Sequence, residues 1–85
     1  MKDLFEIAVY VVSESRRLNC DPMMVGSKIA RQIGLCSSDA EALLMQIWLV
    51  RKYGVDEEPQ SIEEAREVMG AKEYERVRDI VAATV

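Results

Sequence analysis

Residues 27–54 read SKIARQIGLCSSDAEALLMQIWLVRKYG, and the way this stretch divides decides the fold. Gly34 stops one apolar segment, because glycine takes the left-handed conformation that closes a helix without steric cost. Leu35 is placed to fold back on the segment it follows. Ser37 and Ser38 make a turn, and Ser38 with Glu41 has the spacing of a capping box that opens a second helix. From Ala40 the run AEALLMQIWLV is apolar almost all round. Ala40, Leu43, Leu44, Ile47, Trp48 and Val50 cannot share one side of a helix, so this is a central helix with Leu44 and Trp48 in the core. Arg51 and Lys52 suit its negative end, and Gly54 terminates it.

Upstream, Asp21-Pro22 is a helix start: the aspartate accepts from orphan amides and proline fits the first helical position. The helix it opens is expected over Pro22–Ile33. Val25, Ile29 and Ile33 form its expected buried stripe, with Gly26 and Ala30 beside it as small residues that admit a close neighbour. A first helix, capped by Asp3 with Glu6 three residues on, runs to about Leu18. Its apolar face is Leu4, Phe5, Ala8, Val11 and Val12, while Ile7, Val9 and Tyr10 spill onto other sides. Arg16 and Arg17 occupy its last turn, and Asn19 tolerates the left-handed conformation that ends it.

Downstream, residues 55–60 are a polar linker containing Pro59. Ser61 and Glu64 repeat the capping-box spacing before a helix from Ile62 to Met69. Gly70 either ends that helix or is carried inside a longer one. The segment Glu73–Thr84 places Tyr74, Val77, Ile80, Val81 and Thr84 on one face. No stretch alternates with period two across a plausible hairpin. The expectation is one all-α domain over residues 1–85, a small array of four to five short helices. A helical core spans 1–54, a linker 55–60, and an acidic C-terminal helix or helical hairpin 61–85.

An 85-residue chain buries only roughly 60% of the surface its unfolded form exposes, so its core is thin. Yet 49% of its residues are hydrophobic, five of them methionines. That surplus points to a core shared between subunits and hence to a homodimer. Charge is uneven. Residues 1–54 carry seven Lys/Arg against six Asp/Glu, while residues 55–85 carry four against nine, within a total of −4. The C-terminal third therefore repels phosphate. The apolar run from Ile7 to Val12 is too short for a leader's core, and Asp3 and Glu6 stand where its basic region belongs. No apolar stretch approaches transmembrane length. The cytoplasm is the expected compartment, with Cys20 and Cys36 as free thiols.

Between Gly26 and about Ile47 the chain resembles a helix-turn-helix in general. Ile29-Ala30, Ile33-Gly34-Leu35, Ala40 and Leu43 fall at the spacing a tight helix crossing needs. The resemblance covers about a quarter of the sequence. It implies a face made of Ser37, Ser38, Asp39, Glu41 and Gln46, flanked by Lys28, Arg31, Arg51 and Lys52, that would meet DNA or a protein partner. Asp39 and Glu41 oppose a phosphate field, and DNA readers place basic or amide side chains at such positions. Nucleic acid is therefore disfavoured as the partner.

No catalytic equipment is visible. Histidine is absent, and no Gly-rich phosphate loop or activated nucleophile is present. Two isolated cysteines fall short of a structural zinc site, and the Asp56-Glu57-Glu58 cluster matches no calcium loop. No cofactor, metal or catalytic residue is expected. Met23, Met24 and Met45 read as core filling before they read as an adaptable groove. The sequence thus suggests a non-enzymatic helical interaction module, regulatory or adaptor in kind, that binds another protein through an apolar helix face. The alternative is a divergent helix-turn-helix DNA-binding transcriptional regulator.

Overall fold

The computed structural model describes residues 4–54 and 62–84, with residues 62–65 described for their backbone only. These contain five α-helices and no strand: α1 (Leu4–Leu18), α2 (Pro22–Gln32), α3 (Ser37–Tyr53), α4 (Ile62–Met69) and α5 (Ala71–Thr84). The all-α array is therefore present as expected. The proposed caps at Asp3 and Ser61, the side chain of Glu64 and the linker 55–60 lie outside the described residues.

Helix α3 is the axle. It packs against each of the other four helices. Ala40, Ala42, Leu43, Leu44, Met45, Ile47, Leu49 and Val50 are all buried along it, which is why its sequence is apolar on every side. Leu44 is fully buried; Trp48 is only half-buried, so the second expected core residue stands at the edge. Against α3, α1 buries Ile7, Ala8, Val11, Val12 and Ser15. The serine is tolerated there because its hydroxyl donates to the Val12 carbonyl at 2.8 Å, which satisfies a buried polar group locally.

Both of the first two helices close in the same way. At the end of α1, Asn19 has φ 56°. Its N–H donates to the Arg16 carbonyl at 3.3 Å, and that of Cys20 to the Ser15 carbonyl at 2.8 Å. At the end of α2, Gly34 has φ 72°. Its N–H reaches the Arg31 carbonyl at 3.3 Å, and that of Leu35 the Ala30 carbonyl at 3.0 Å. This paired bonding satisfies carbonyls that a helix end leaves open, and it turns the half-buried Leu35 back toward the core. The start of α2 is the expected one: the Asp21 carboxylate accepts from the Met23 N–H at 3.0 Å. Asp21→Ala is predicted to lower stability by about 1 kcal/mol. A thermal or urea melt indistinguishable from wild type would show that this cap contributes nothing.

Further expectations need correction. Met24, read as core filling, is 63% exposed, and Ile7, read as lying off the apolar face of α1, is buried. The buried side of α2 is Pro22, Met23, Gly26 and Ala30, not Val25, Ile29 and Ile33. Val25 and Ile29 are half-buried on its flank, and Ile33 is 53% exposed and caps the helix. The reason is approach distance. A Cβ on Gly26 would lie 2.3 Å from Ile47 Cδ1, so α2 meets α3 through its smallest residues and its larger ones are displaced outward. Another correction concerns the start of α3. The N-cap is Cys36, with no side-chain cap bond, and its carbonyl accepts from the Ala40 N–H at 2.8 Å. Ser38 lies inside the helix, where its hydroxyl meets Cys36 Sγ at 3.4 Å. Glu41 cannot complete a capping box, because Ser38 is already the second residue of the helix.

Gly70, with φ 83°, ends α4 and starts α5. Its N–H donates to the Arg66 carbonyl and its carbonyl accepts from the Tyr74 N–H, both at 3.1 Å. On α5, Val77 and Val81 are buried, and Tyr74 and Ile80 half-buried, the expected face. Thr84 accepts from the Ser27 hydroxyl of α2 and donates to the Ile80 carbonyl at 2.7 Å.

Candidate interaction surfaces

The nine residues that the sequence nominates do not form one face. Lys28 and Arg31 are exposed on α2, and Ser37 and Ser38 are exposed at the start of α3. Asp39 is half-buried in the first turn. Arg51 and Lys52 sit at the far end of the same helix, roughly 20 Å from the serines at 1.5 Å per residue. Between these ends α3 is covered. Gln46 is half-buried, and its Oε1 is enclosed with no hydrogen-bond partner among the described residues.

Glu41 is committed to the C-terminal helices. Its Oε1 accepts from the Tyr74 hydroxyl at 2.5 Å and lies 3.8 Å from the Arg66 guanidinium. Arg66 also lies over the Tyr74 ring, 4.8 Å from its centroid. The hydrogen bond to Glu41 holds the Tyr74 phenol above its ordinary value, and burial adds to the rise. The neutral phenol is therefore the form that ties α5 to α3. Sequence spacing gave no sign of this contact, because its two halves belong to different thirds of the chain.

Two concave surfaces gather large apolar or charged side chains. The first is a groove between α1 and α2 of about 420 Å³, lined by Glu6, Ile7, Tyr10, Ile29, Gln32 and Ile33. Tyr10 is 57% exposed and Ile33 53%. Large apolar side chains gathered in one concavity differ from the scattered exposed hydrophobics of any protein surface. The sequence places Tyr10 off the apolar face of α1 but reads Ile33 as part of a buried stripe, which the structure turns outward.

The second is a cleft of about 360 Å³ where α2 starts and α3 ends, lined by Met23, Trp48, Arg51, Lys52, Glu73 and Arg76. Lys52 Nζ lies 4.9 Å from the Trp48 ring centroid and 5.9 Å from that of Tyr53. Arg76 reaches toward Asp21 Oδ2 at 3.6 Å. Here the fold does unite two nominated residues, Arg51 and Lys52, with groups from two other helices.

Cys20 and Cys36 are free and exposed. Among the described residues no cluster of three or more His, Cys, Asp or Glu is arranged to hold a metal ion. No helix among them is long and apolar enough to cross a membrane. Comparison with protein-family models, with curated proteins and with solved structures finds no match for this chain.

Proposed function

We propose that this chain is a small non-enzymatic interaction module that binds another protein through the apolar groove between α1 and α2. A regulatory or adaptor role in the cytoplasm and assembly as a homodimer belong to the same proposal. The observation that carries it is the pairing of Tyr10 and Ile33, both more than half exposed, across a concavity also lined by Ile7 and Ile29. An apolar face of this kind takes the hydrophobic side of a partner helix, with anchors spaced by three or four residues. The divergent helix-turn-helix regulator is the weaker reading. A reading helix must offer a solvated face to the major groove, and α3 buries Ala42, Leu43, Met45 and Leu49 along its middle. Its Glu41 is engaged by Tyr74 and Arg66.

Self-association is the first measurement. Sedimentation at rising micromolar concentration should show the mass climbing from 9.6 kDa toward twice that value. Ile33→Asp combined with Tyr10→Ser should restore the monomer and lower the melting temperature only by the concentration-dependent part that dimerisation supplies. A wild-type chain that stays monomeric throughout would remove the homodimer from the proposal.

A further inference from the structure

We propose that the cleft between the start of α2 and the end of α3 is a second docking site, and that it takes an acidic peptide segment with an apolar residue seated against Trp48. This site is distinct from the α1–α2 groove and does not depend on it.

The first observation is the convergence of charge. Arg51 and Lys52 come from α3 and Arg76 from α5. Arg16 of α1 lines the adjoining cleft, which shares Arg51. Three helices thus bring four cations to one side of a chain whose net charge is −4. Helix-end electrostatics accounts for Arg16, Arg51 and Lys52 one at a time, since each sits in a last turn. It does not account for Arg76, which lies in the middle of α5. Asp21 is 3.6 Å from Arg76, but the arginine side chain is 59% exposed. An exposed pair of this kind contributes little and leaves the guanidinium available.

The second observation is Trp48. It is the one tryptophan in the chain, and it is left half-buried beside the buried Met23, whereas its neighbours Ile47, Leu49 and Val50 are buried. Tryptophan and arginine dominate the energetic centres of protein interfaces, because each combines a large apolar surface with directed polar contacts. The part-exposed indole, with Lys52 Nζ 4.9 Å from its centroid and two arginines beside it, suits a peptide in which carboxylates flank an aliphatic side chain. Arginine meets a carboxylate with two parallel hydrogen bonds.

Charge also selects among anions. A nucleic-acid strand needs cations repeated along its path. Here Glu73 and Asp21 stand within the same surface, breaking any continuous basic track. A short acidic peptide needs only two or three cations and can turn its own polar groups away from Glu73.

Trp48 also supplies the assay, because it is the one indole in the chain and it lines this cleft. The probe is a fluorescein-labelled peptide of sequence Glu-Glu-Leu-Glu-Glu-Leu-Glu. It is compared with the same peptide carrying Gln for Glu, with a mixed-sequence single-stranded oligonucleotide, and with inorganic phosphate. The acidic peptide should change Trp48 emission saturably and raise label anisotropy. Arg51→Gln/Lys52→Gln should weaken it about tenfold, as loss of charged contacts at an interface rim does, and the Gln peptide should not bind. Arg76→Gln, which leaves α3 untouched, gives the same weakening if the double variant does not fold. Four results would overturn the proposal: no change up to millimolar peptide; binding unaffected by the substitutions; tighter binding of the oligonucleotide; or an equal response to phosphate alone. Ile33→Asp, which breaks the α1–α2 groove, should leave peptide binding intact, so failure of one site is separable from failure of the other.

Discussion

Leu44→Ala is expected to lower the stability of the fold by about 2–5 kcal/mol. Leu44 is fully buried in the middle of α3, the helix that touches all the others. Its Cδ2 would lie 3.2 Å from a Cβ built on Gly26, so it fills the crossing of α2 with α3. Truncation removes apolar contacts and leaves a cavity that two closely crossed helices cannot readily collapse. At roughly 0.05–0.15 kcal/mol per residue, an 85-residue domain has only a few such losses to give. The variant should therefore unfold at far lower denaturant, followed by helical circular dichroism and Trp48 emission together. Met24→Ala serves as the control, because Met24 is 63% exposed and a surface truncation should stay within about 0.5 kcal/mol. A Leu44→Ala loss no larger than that of the control would place Leu44 outside the core and displace α3 from the centre of the fold.

What the sequence makes legible here is what neighbours in the chain decide. The Asp21-Pro22 start, the Asn19 and Gly34 stops and the apolar circumference of α3 depend on residues within a few positions of each other. The structure has all of them. What it hides is decided by distant partners. On α2 the period of Val25, Ile29 and Ile33 and that of Gly26 and Ala30 fit a helix equally well. Hydrophobicity favours the first as the inner face; the need for close approach to Ile47 favours the second, and packing wins. Ser38 and Glu41 fit a capping box locally, yet the helix starts before Ser38 and the phenol of Tyr74 takes the carboxylate. Of the surfaces, Arg51 and Lys52 are readable as a basic pair at a helix end. Their meeting with Arg76 is not, because α5 is placed by burial of Val77 and Val81 rather than by anything near α3 in sequence.

That same crossing carries the second large effect. Gly26→Val should lose about 3 kcal/mol, the upper end of the usual cost of overpacking. A Cβ at this position already falls 2.3 Å from Ile47 Cδ1 and 3.2 Å from Leu44 Cδ2, and valine adds two further methyl groups. Its somewhat better helix propensity than glycine offsets only a few tenths of a kcal/mol. Ile47 is itself fully buried, so its Cδ1 must leave its rotamer, or α2 must move off α3, to make room. The strain has a definite partner, which makes it separable from a general loss of helix. Ile47→Ala alone should cost about 2–5 kcal/mol as a cavity. Combined with Gly26→Val it removes as many carbons as the valine side chain supplies, and the new side chain occupies the space that the isoleucine vacates. The double variant should therefore be more stable than the sum of the two losses predicts, by about 1–3 kcal/mol, the coupling typical of residues in direct contact. Urea melts of the four proteins close the cycle. Strictly additive losses would mean that Gly26 and Ile47 do not face each other, and a neutral Gly26→Val would mean that α2 stands further from α3 than its small residues imply.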